Sequence, residues 1–339
     1  MIRQIRFLVF AAAGIAAACA QPSIVLPAPS ANAVVAETQQ FAFHSNLWVN
    51  LHHFLYVTAR ARAGLDATRG AVTSALADTV GFGALPRAQQ DAWNSALAHY
   101  GRAVAPRDIL FDSSLVAVND RLAELERASS VVGSAGLDSG IAAALEQAAP
   151  AYRMLWWPRH DAANRRWTAE VLGPLALHGA EAARVEARAF RTPWSATPVR
   201  VDVSAYTNWA GAYTTEYPSH VNVGSLDAIP GQGPAKFETL FHEVLHTMDD
   251  SLFTTVRASF REAGKRLPRD PTHAFVFFTA GEVARKLFPG YVPFAESGGL
   301  WTRNADFARM LPLLRAHWEP YLEGRGSMEE AVRRIAAGW

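Results

Sequence analysis

The sequence predicts an α+β protein that is mostly helical, and two observations support this fold class. Between residues 41 and 190, apolar residues recur at steps of three and four, and Gly or Pro separates most segments, as in amphipathic helices. Residues 192–225 instead contain short alternating runs, the only stretch that predicts a sheet. We therefore predict an N-terminal helical lobe over residues 41–190 and a second lobe over residues 191–339 with a small sheet.

The helical lobe contains five periodic segments. In chain order they are "FHSNLWVNLHHFLYVTARAR", "RAQQDAWNSALAHYGRAV", "RDILFDSSLVAVNDRLAELERA", "GIAAALEQAAPAYRMLWW" and "DAANRRWTAEVLGPLALHGAEAARVEARAF". The first places His44, Asn50, His52 and His53 among aromatic residues. Polar groups in such a helix usually bond to each other or to backbone carbonyls, so we expect a structural role for them.

The second lobe begins with the β-prone runs "VRVDVSAY", "WAGAYTT" and "HVNVGS". The loop "LDAIPGQGPA" then leads into a helix predicted from about Lys236 to Asp250. A later helix is expected to start with Asp270 as N-cap and Pro271 at its first position. Two further helices are predicted around "ADFARMLPLLRAHWEPYL" and "SMEEAVRRIAAGW".

The N-terminus has the features of an export signal. Arg3 and Arg6 precede an apolar run that ends at Ala20, which is short for a membrane span. We predict a signal peptide over residues 1–20, cut either at an A-x-A site or at a lipoprotein-like "IAAAC" with lipid on Cys19. The alternative is a short N-terminal membrane anchor that is not cut. A flexible spacer rich in Pro, Ala and Ser is predicted over residues 21–40.

Charge and cysteine content limit the partners and the stabilising forces. The 32 basic and 31 acidic residues nearly cancel, and no run of five like charges occurs, so nucleic acid and anionic membranes are poor candidates for the main partner. Cys19 is the only cysteine, so the mature domain has no internal disulfide. We expect a periplasmic or outer-membrane lipoprotein, or otherwise a secreted protein, without a transmembrane span in the mature chain.

The stretch "TLFHEVLHTM", residues 239–248, contains candidate metal ligands and a candidate general base. On a helix, His242 and His246 lie on one face a turn apart, so that their two imidazoles can bind one metal ion. Glu243 is rotated away from the metal but can reach a water bound to it, and would act as general base. The simplest alternative is a chance spacing on a surface helix. The uncharged flanks argue against it, because a solvated face normally carries Lys, Arg or Glu.

This stretch resembles the signature of the zincin metallopeptidases. Their pattern has Val or Thr three residues before the first His and uncharged residues around the ligands, which Thr239, Leu240 and Val244 satisfy. The resemblance spans residues 196 to about 290. It implies a zincin-like lobe with Zn²⁺ as cofactor, an edge strand that pairs with the substrate backbone, and hydrolysis of peptide bonds in peptides or proteins by a zinc-bound water that Glu243 activates.

The resemblance leaves the third zinc ligand open. The metzincin subgroup would need Gly at position 249 and His at 252, where this chain has Asp249 and Leu252. The gluzincin subgroup uses a Glu on a later helix, and Glu282 in "FFTAGEVARK" fits, although Arg285 stands where a supporting Asp is often found. His273 is the rival. The two lie nine residues apart, on opposite helix faces, and we favour Glu282 because a lone carboxylate in an apolar helix needs a partner.

Two smaller assignments complete the predicted site. Asp249 and Asp250 are the candidates to replace the missing supporting Asp. The donor that stabilises the oxyanion is sought among several Tyr and His side chains, and Tyr291 is favoured because a Gly-flanked loop can fold back over the cleft. The candidates are His220, Tyr213, Tyr217, His273 and Tyr291.

Two alternatives to a metallopeptidase stay open. One is an exported helical binding or scaffold protein with a structural or vestigial zinc site, which four protein ligands would favour. The other is a zinc hydrolase that acts on a non-peptide amide or ester, since such an enzyme needs the same water and the same oxyanion donor.

Overall fold

The computed structural model describes residues 33–66, 75, 78, 81–216, 219–227 and 233–339. The predicted signal peptide, Cys19 and residues 21–32 of the predicted spacer lie outside the described residues, so export and lipid attachment stay predictions. Among the helices of the described segments, none is long and apolar enough to cross a membrane.

The sheet has five strands in the order β1-β2-β3-β5-β4. Strands β2 and β3 are parallel, as are β3 and β5, whereas β1 and β4 run antiparallel to their neighbours. This order leaves β4 at an edge. The strands are β1 (Val34–Glu37), β2 (Phe41–His44), β3 (Val199–Ser204), β4 (Ala212–Glu216) and β5 (Ser219–Gly224).

Strands β1 and β2 differ from the sequence predictions. Val34–Glu37 falls in the predicted spacer, and Phe41–His44 falls partly in the predicted first helix. Each strand has only four residues, too few for a clear alternation, and β2 pairs with β3 across more than 150 residues of chain. Such a pairing leaves no local signal. The small sheet itself is confirmed, together with the mostly helical α+β class.

The described residues of the first half of the chain include five long helices. Asn46, Asp112 and Asp138 cap α1, α3 and α4 by accepting backbone N–H groups with their side chains, and α5 begins with Pro158 in its first turn. The helices are α1 (Leu47–Arg62), α2 (Arg87–Ala103), α3 (Ser113–Glu124), α4 (Ser139–Leu155) and α5 (Trp157–Phe190).

In the second half, the residues that the structure describes form eight helices and a π-helical turn. The helix with the two histidines ends at Leu245, five residues before the predicted end, and the later helix begins at His273, two residues after the predicted start. The helices are α6 (Gly233–Leu245), α7 (Asp250–Glu262), α8 (His273–Leu287), α9 (Phe294–Ser297), α10 (Leu300–Arg303), α11 (Ala305–Leu313), α12 (Glu319–Leu322) and α13 (Met328–Gly338), with the π-helical turn at Leu314–Trp318.

Two hydrophobic cores divide the chain differently from the predicted lobes. The helical core joins α1 to α4 and also takes Tyr206 and Tyr213 from the sheet region. The sheet core joins β2, the other strands and the C-terminal helices, and it takes α5 from Trp167 to Phe190. Some residues before residue 190 therefore belong to the sheet core, and some residues after it belong to the helical core. The reason for the first is that α5 packs along the sheet core from Trp167 to Phe190.

Asn50 connects the two cores. Its side-chain N–H groups donate to the carbonyl oxygens of Asn46 (2.8 Å) and Val203 (3.2 Å). Its Oδ1 accepts from the Ala205 backbone N–H (2.9 Å) and from Asn164 of α5 (3.0 Å). All four bonds are buried, so this one amide holds α1, α5 and the end of β3 together, as expected for a polar residue of the first helix.

We predict that Asn50→Ala destabilises the protein, because it leaves buried backbone groups of both cores without partners. The free energy of unfolding should fall by about 3 kcal/mol, measured by urea denaturation. Asn94→Ala, at an exposed position of α2, serves as the matched control and should change stability little. Equal stability of the two variants would contradict the role of Asn50.

Candidate metal centre

Helix α6 positions the first two imidazoles. Its Phe237 and Phe241 are buried in the sheet core, and the Phe241 ring packs edge-on against Phe41 of β2 at a centroid distance of 5.5 Å. His242 lies in the last turn, and His246 follows the last helical residue in a turn that continues the helix. The aromatic packing therefore fixes the helix that carries both rings.

Three imidazole nitrogens lie close to one another. Nε2 of His242 lies 3.2 Å from Nε2 of His246 and 3.4 Å from Nε2 of His273. Within the described residues, these are the only three His, Cys, Asp or Glu side chains whose ligand atoms all lie within 4.8 Å of one another. Two nitrogens on a tetrahedral zinc, at bond lengths of 2.0–2.1 Å, would be about 3.3 Å apart. The cluster could therefore hold a metal ion, and its spacing fits zinc.

The ionisation of the cluster also suits a metal. Burial, followed by the charges of the other two imidazoles, lowers the pKa of His242. Burial and His273 lower the pKa of His246 to about 3. Both rings are therefore neutral at physiological pH, which is the form in which histidine binds a metal.

His273 enters the site from the first turn of α8. Nδ1 of His273 bonds to Oδ2 of Asp270 at 2.8 Å, which leaves Nε2 to face the cluster. A carboxylate behind a ligand histidine fixes the ring and raises its basicity. Asp270 was expected to cap the helix, but the N-cap is Thr272, which makes no side-chain capping bond. The supporting carboxylate is thus Asp270, three residues before its histidine.

A hydrogen bond and a stacked ring hold α8 against α6. The hydroxyl of Thr272 donates to Oδ2 of Asp249 at 2.6 Å, which ties the start of α8 to the segment after His246. The Phe277 ring lies 4.2 Å from the His242 ring centroid and stacks on His273 at 4.6 Å and 20°. Asp249 therefore supports the site through the start of α8.

Glu282, the favoured third ligand, lies elsewhere. Its Oε1 pairs with Nε of Arg285 at 3.2 Å, and both line a small cavity on the far side of α8. Because Glu282 is nine residues after His273, the helix directs the two side chains to opposite faces. The structure thus brings the rival His273 to the cluster, and Glu282 has the ion pair that its apolar surroundings require.

Glu243 is buried beside the cluster, with 7 % of its surface exposed. The hydroxyl of Thr214, on the edge strand β4, donates to Oε2 of Glu243 at 2.8 Å and lies 3.0 Å from its backbone oxygen. Burial raises the pKa of Glu243 to about 7, although the Thr214 bond and His273 act in the opposite direction. Thr214 was not singled out from the sequence, since only the sheet topology places it next to α6.

Tyr291, the favoured oxyanion donor, is hydrogen-bonded to a carboxylate outside the cluster. Its hydroxyl donates to Oε2 of Glu238 at 2.6 Å, and the same carboxylate accepts the backbone N–H of Phe294. Burial raises the pKa of Glu238 to about 7, opposed by these two hydrogen bonds. Tyr291 thus secures the loop between α8 and α9, which corresponds to its alternative interpretation as an anchor.

The other candidate donors also have partners or lie outside the description. Tyr213 is buried and bonds to His53 at 2.7 Å. His220 lies between Asp202 (2.7 Å) and Asp120 (3.1 Å) inside the sheet region. Tyr217 is not among the described residues. No candidate from the sequence thus faces the cluster as a free donor in the described part of the chain.

Comparisons with known proteins add no relative. No protein-family model, no curated protein and no solved structure matches this chain. The site is therefore interpreted from its own geometry.

We predict that His273→Ala abolishes stoichiometric zinc binding, because two imidazoles on one helix hold a zinc ion poorly. Glu282→Ala should retain one zinc per chain, since its carboxylate lies on the far face of α8. Elemental analysis of the purified variants, after dialysis against zinc and then metal-free buffer, measures both. Zinc loss from the Glu282 variant alone would reverse the assignment.

Asp270→Asn should keep the zinc with affinity lower by about 10- to 100-fold.

A pH-dependent stability is predicted from His220. Burial alone would lower its pKa, but the hydrogen bonds to Asp120 and Asp202 raise it above the ordinary value. A raised pKa means that this stabilisation is complete below about pH 6.5 and is lost as the pH rises through the pKa of the folded state. The free energy of unfolding should therefore fall as the pH rises above about 6.5. Denaturation of His220→Gln over that range should lack this fall, and equal slopes would contradict the prediction.

Proposed function

We propose that the protein is a zinc metallopeptidase with a zincin-like catalytic lobe. The observation that carries the proposal is the convergence of three imidazole Nε2 atoms next to a buried carboxylate in an H-E-x-x-H sequence. Three protein ligands leave a position for water, as in catalytic zinc sites, whereas structural sites are closed by four. This favours a hydrolase over a binding protein with a structural zinc.

His242, His246 and His273 would hold the zinc. When bound, zinc supplies Lewis acidity, which makes water more acidic and polarises a carbonyl oxygen. The three rings are pre-arranged by α6, Asp270 and Phe277, so little reorganisation is needed. The proposed zinc identity rests on the all-nitrogen ligand set and on the distances of 3.2 and 3.4 Å from Nε2 of His242 to Nε2 of His246 and His273.

Glu243 would move the proton. Its carboxylate takes a proton from the attacking water as the water oxygen bonds to the carbonyl carbon of the substrate. It then gives that proton to the amine nitrogen as the C–N bond breaks. Thr214 holds one carboxylate oxygen at 2.8 Å, which leaves the other for the water. The bond from Thr214 thereby orients the base.

The edge strand β4 would bind the substrate backbone. β4 pairs only with β5 within the described sheet, and its Thr214 contacts the helix that carries the metal ligands. An extended peptide could add to this edge as a further strand, close to Glu243. This arrangement favours a peptide over a non-peptide amide or ester as substrate.

The proposal is tested with Glu243→Gln. The variant should bind one zinc per chain and hydrolyse a fluorogenic peptide library at least about 100-fold more slowly than the parent. Glu262→Gln, an exposed change of the same kind on α7, is the control and should cut at the parental rate. A Glu243 variant that cuts as fast as the parent would remove Glu243 as the base. A zinc-loaded parent that cleaves only ester or non-peptide amide substrates would favour the narrower hydrolase.

We predict a separate contribution from Thr214. Thr214→Val keeps the side-chain shape but removes the hydrogen bond to Glu243, so kcat should fall about tenfold or more while the zinc content is unchanged. Thr214→Ser restores the hydroxyl and should recover most of the activity. Steady-state kcat and KM of both variants decide this. Parental kcat in the Val variant would show that the bond does not orient the base.

A further inference from the structure

A cavity of about 570 Å³ adjoins the candidate metal centre. Two of its lining residues contact the third histidine: Asp270 bonds to His273 at 2.8 Å, and the Phe307 ring lies 6.1 Å from the His273 ring. The volume lies in the range typical of ligand pockets, about 300–1,000 Å³. The cavity is lined by Arg269, Asp270, Asn304, Ala305, Asp306 and Phe307.

Arg269 is the only basic residue that lines this cavity. It is exposed, and it has no hydrogen bond or ion pair with any described residue. Arg285, by comparison, pairs with Glu282 and Glu296 on the far side of α8. A guanidinium without a partner at the wall of a cavity offers a planar fork of donors that matches a carboxylate.

Asn304 adds a second donor. Its Oδ1 caps α11 by accepting the backbone N–H groups of Asp306 (3.0 Å) and Phe307 (3.2 Å). The capping bonds identify the oxygen, so the other end of the amide is the NH₂ group, and it has no partner among the described residues. The cavity therefore presents an amide donor together with the guanidinium.

The two acidic residues of the cavity do not prevent it from binding a carboxylate. Asp270 is committed to His273. Asp306 lies in the first turn of α11, where the partial positive charge of the helix N-terminus offsets part of its own charge. The groups of the cavity that can donate to a carboxylate are thus the guanidinium of Arg269 and the amide of Asn304.

We propose that this cavity is a substrate subsite that binds a carboxylate through Arg269 and Asn304. The inference rests on the proposed peptidase function, because it makes the cavity part of the substrate cleft. The carboxylate belongs either to a Glu or Asp side chain near the cleaved bond or to the C-terminus of the peptide. Both sources present the same group, and the experiment separates them.

Binding is measured by calorimetry on the zinc-loaded Glu243→Gln protein, which should not turn substrate over. In one arm, amidated and acetylated hexapeptides carry a single Glu at each position in turn, and each is compared with its Gln counterpart. In the other arm, a neutral hexapeptide with a free C-terminus is compared with its amide. We expect the carboxylate form to bind about tenfold more tightly in one arm, and the arm identifies the source.

Three variants test the residues. Arg269→Gln should abolish the preference, and Asn304→Asp, which retains a good helix cap, should weaken it by replacing a donor with a negative charge. Lys265→Gln removes a charge from the same loop without touching the cavity, and it should leave the preference intact. Equal binding of all matched peptides, no binding of any carboxylate peptide, or a preference that survives in Arg269→Gln would each overturn the subsite.

Hydrolysis of the same peptides by the parent separates the two proposals. Cleavage together with equal binding of matched peptides overturns the subsite and leaves the peptidase function standing. A carboxylate preference in binding without cleavage of any peptide supports the subsite and removes the peptidase function.

Discussion

The contact between the end of α6 and the start of α8 determines the site. Three imidazoles come together there, that of His242 buried and those of His246 and His273 partly buried, and polar nitrogens in such a place are stable only with partners or a metal. Aromatic packing in the sheet core fixes α6, while the Thr272–Asp249 hydrogen bond and the stacked Phe277 ring fix α8. Neither helix alone could bring three nitrogens within 4.8 Å of one another.

The edge strand β4 connects this contact to the rest of the molecule. Thr214 bonds to Glu243 on one face of the strand, and Thr215 bonds to Asp120 of α3 on the other face at 3.2 Å. The neighbouring Tyr213 is buried in the helical core. The orientation of the Glu243 carboxylate therefore depends on both cores, although Glu243 lies at the edge of only one.

The sequence predicted what a single helix determines. The spacing of His242, Glu243 and His246 follows from 3.6 residues per turn, so the sequence alone predicts two members of the histidine cluster and the glutamate beside them. The third ligand depends on how two helices cross, which no local pattern encodes, and the preference for Glu282 over His273 was based on the cost of burying a carboxylate. The ion pair with Arg285 meets that cost instead.

Long-range pairing limited the fold prediction in the same way. β2 joins the sheet beside a strand more than 150 residues away, so its residues were assigned to a helix. A local signal did exist for Asp270: a carboxylate three residues before a histidine at a helix start can support that histidine as a ligand. The general rule for this chain is that members of the cluster within one element can be predicted from the sequence, whereas a member from another element cannot.

Zinc K-edge X-ray absorption on the zinc-loaded chain lacking residues 1–20 tests the central claim most directly. A catalytic zinc on His242, His246 and His273 predicts three imidazole nitrogens at about 2.0–2.1 Å and one further light atom from solvent. A fourth protein ligand would close the site and favour a structural zinc. Failure to retain zinc would show that the three histidines form no metal centre.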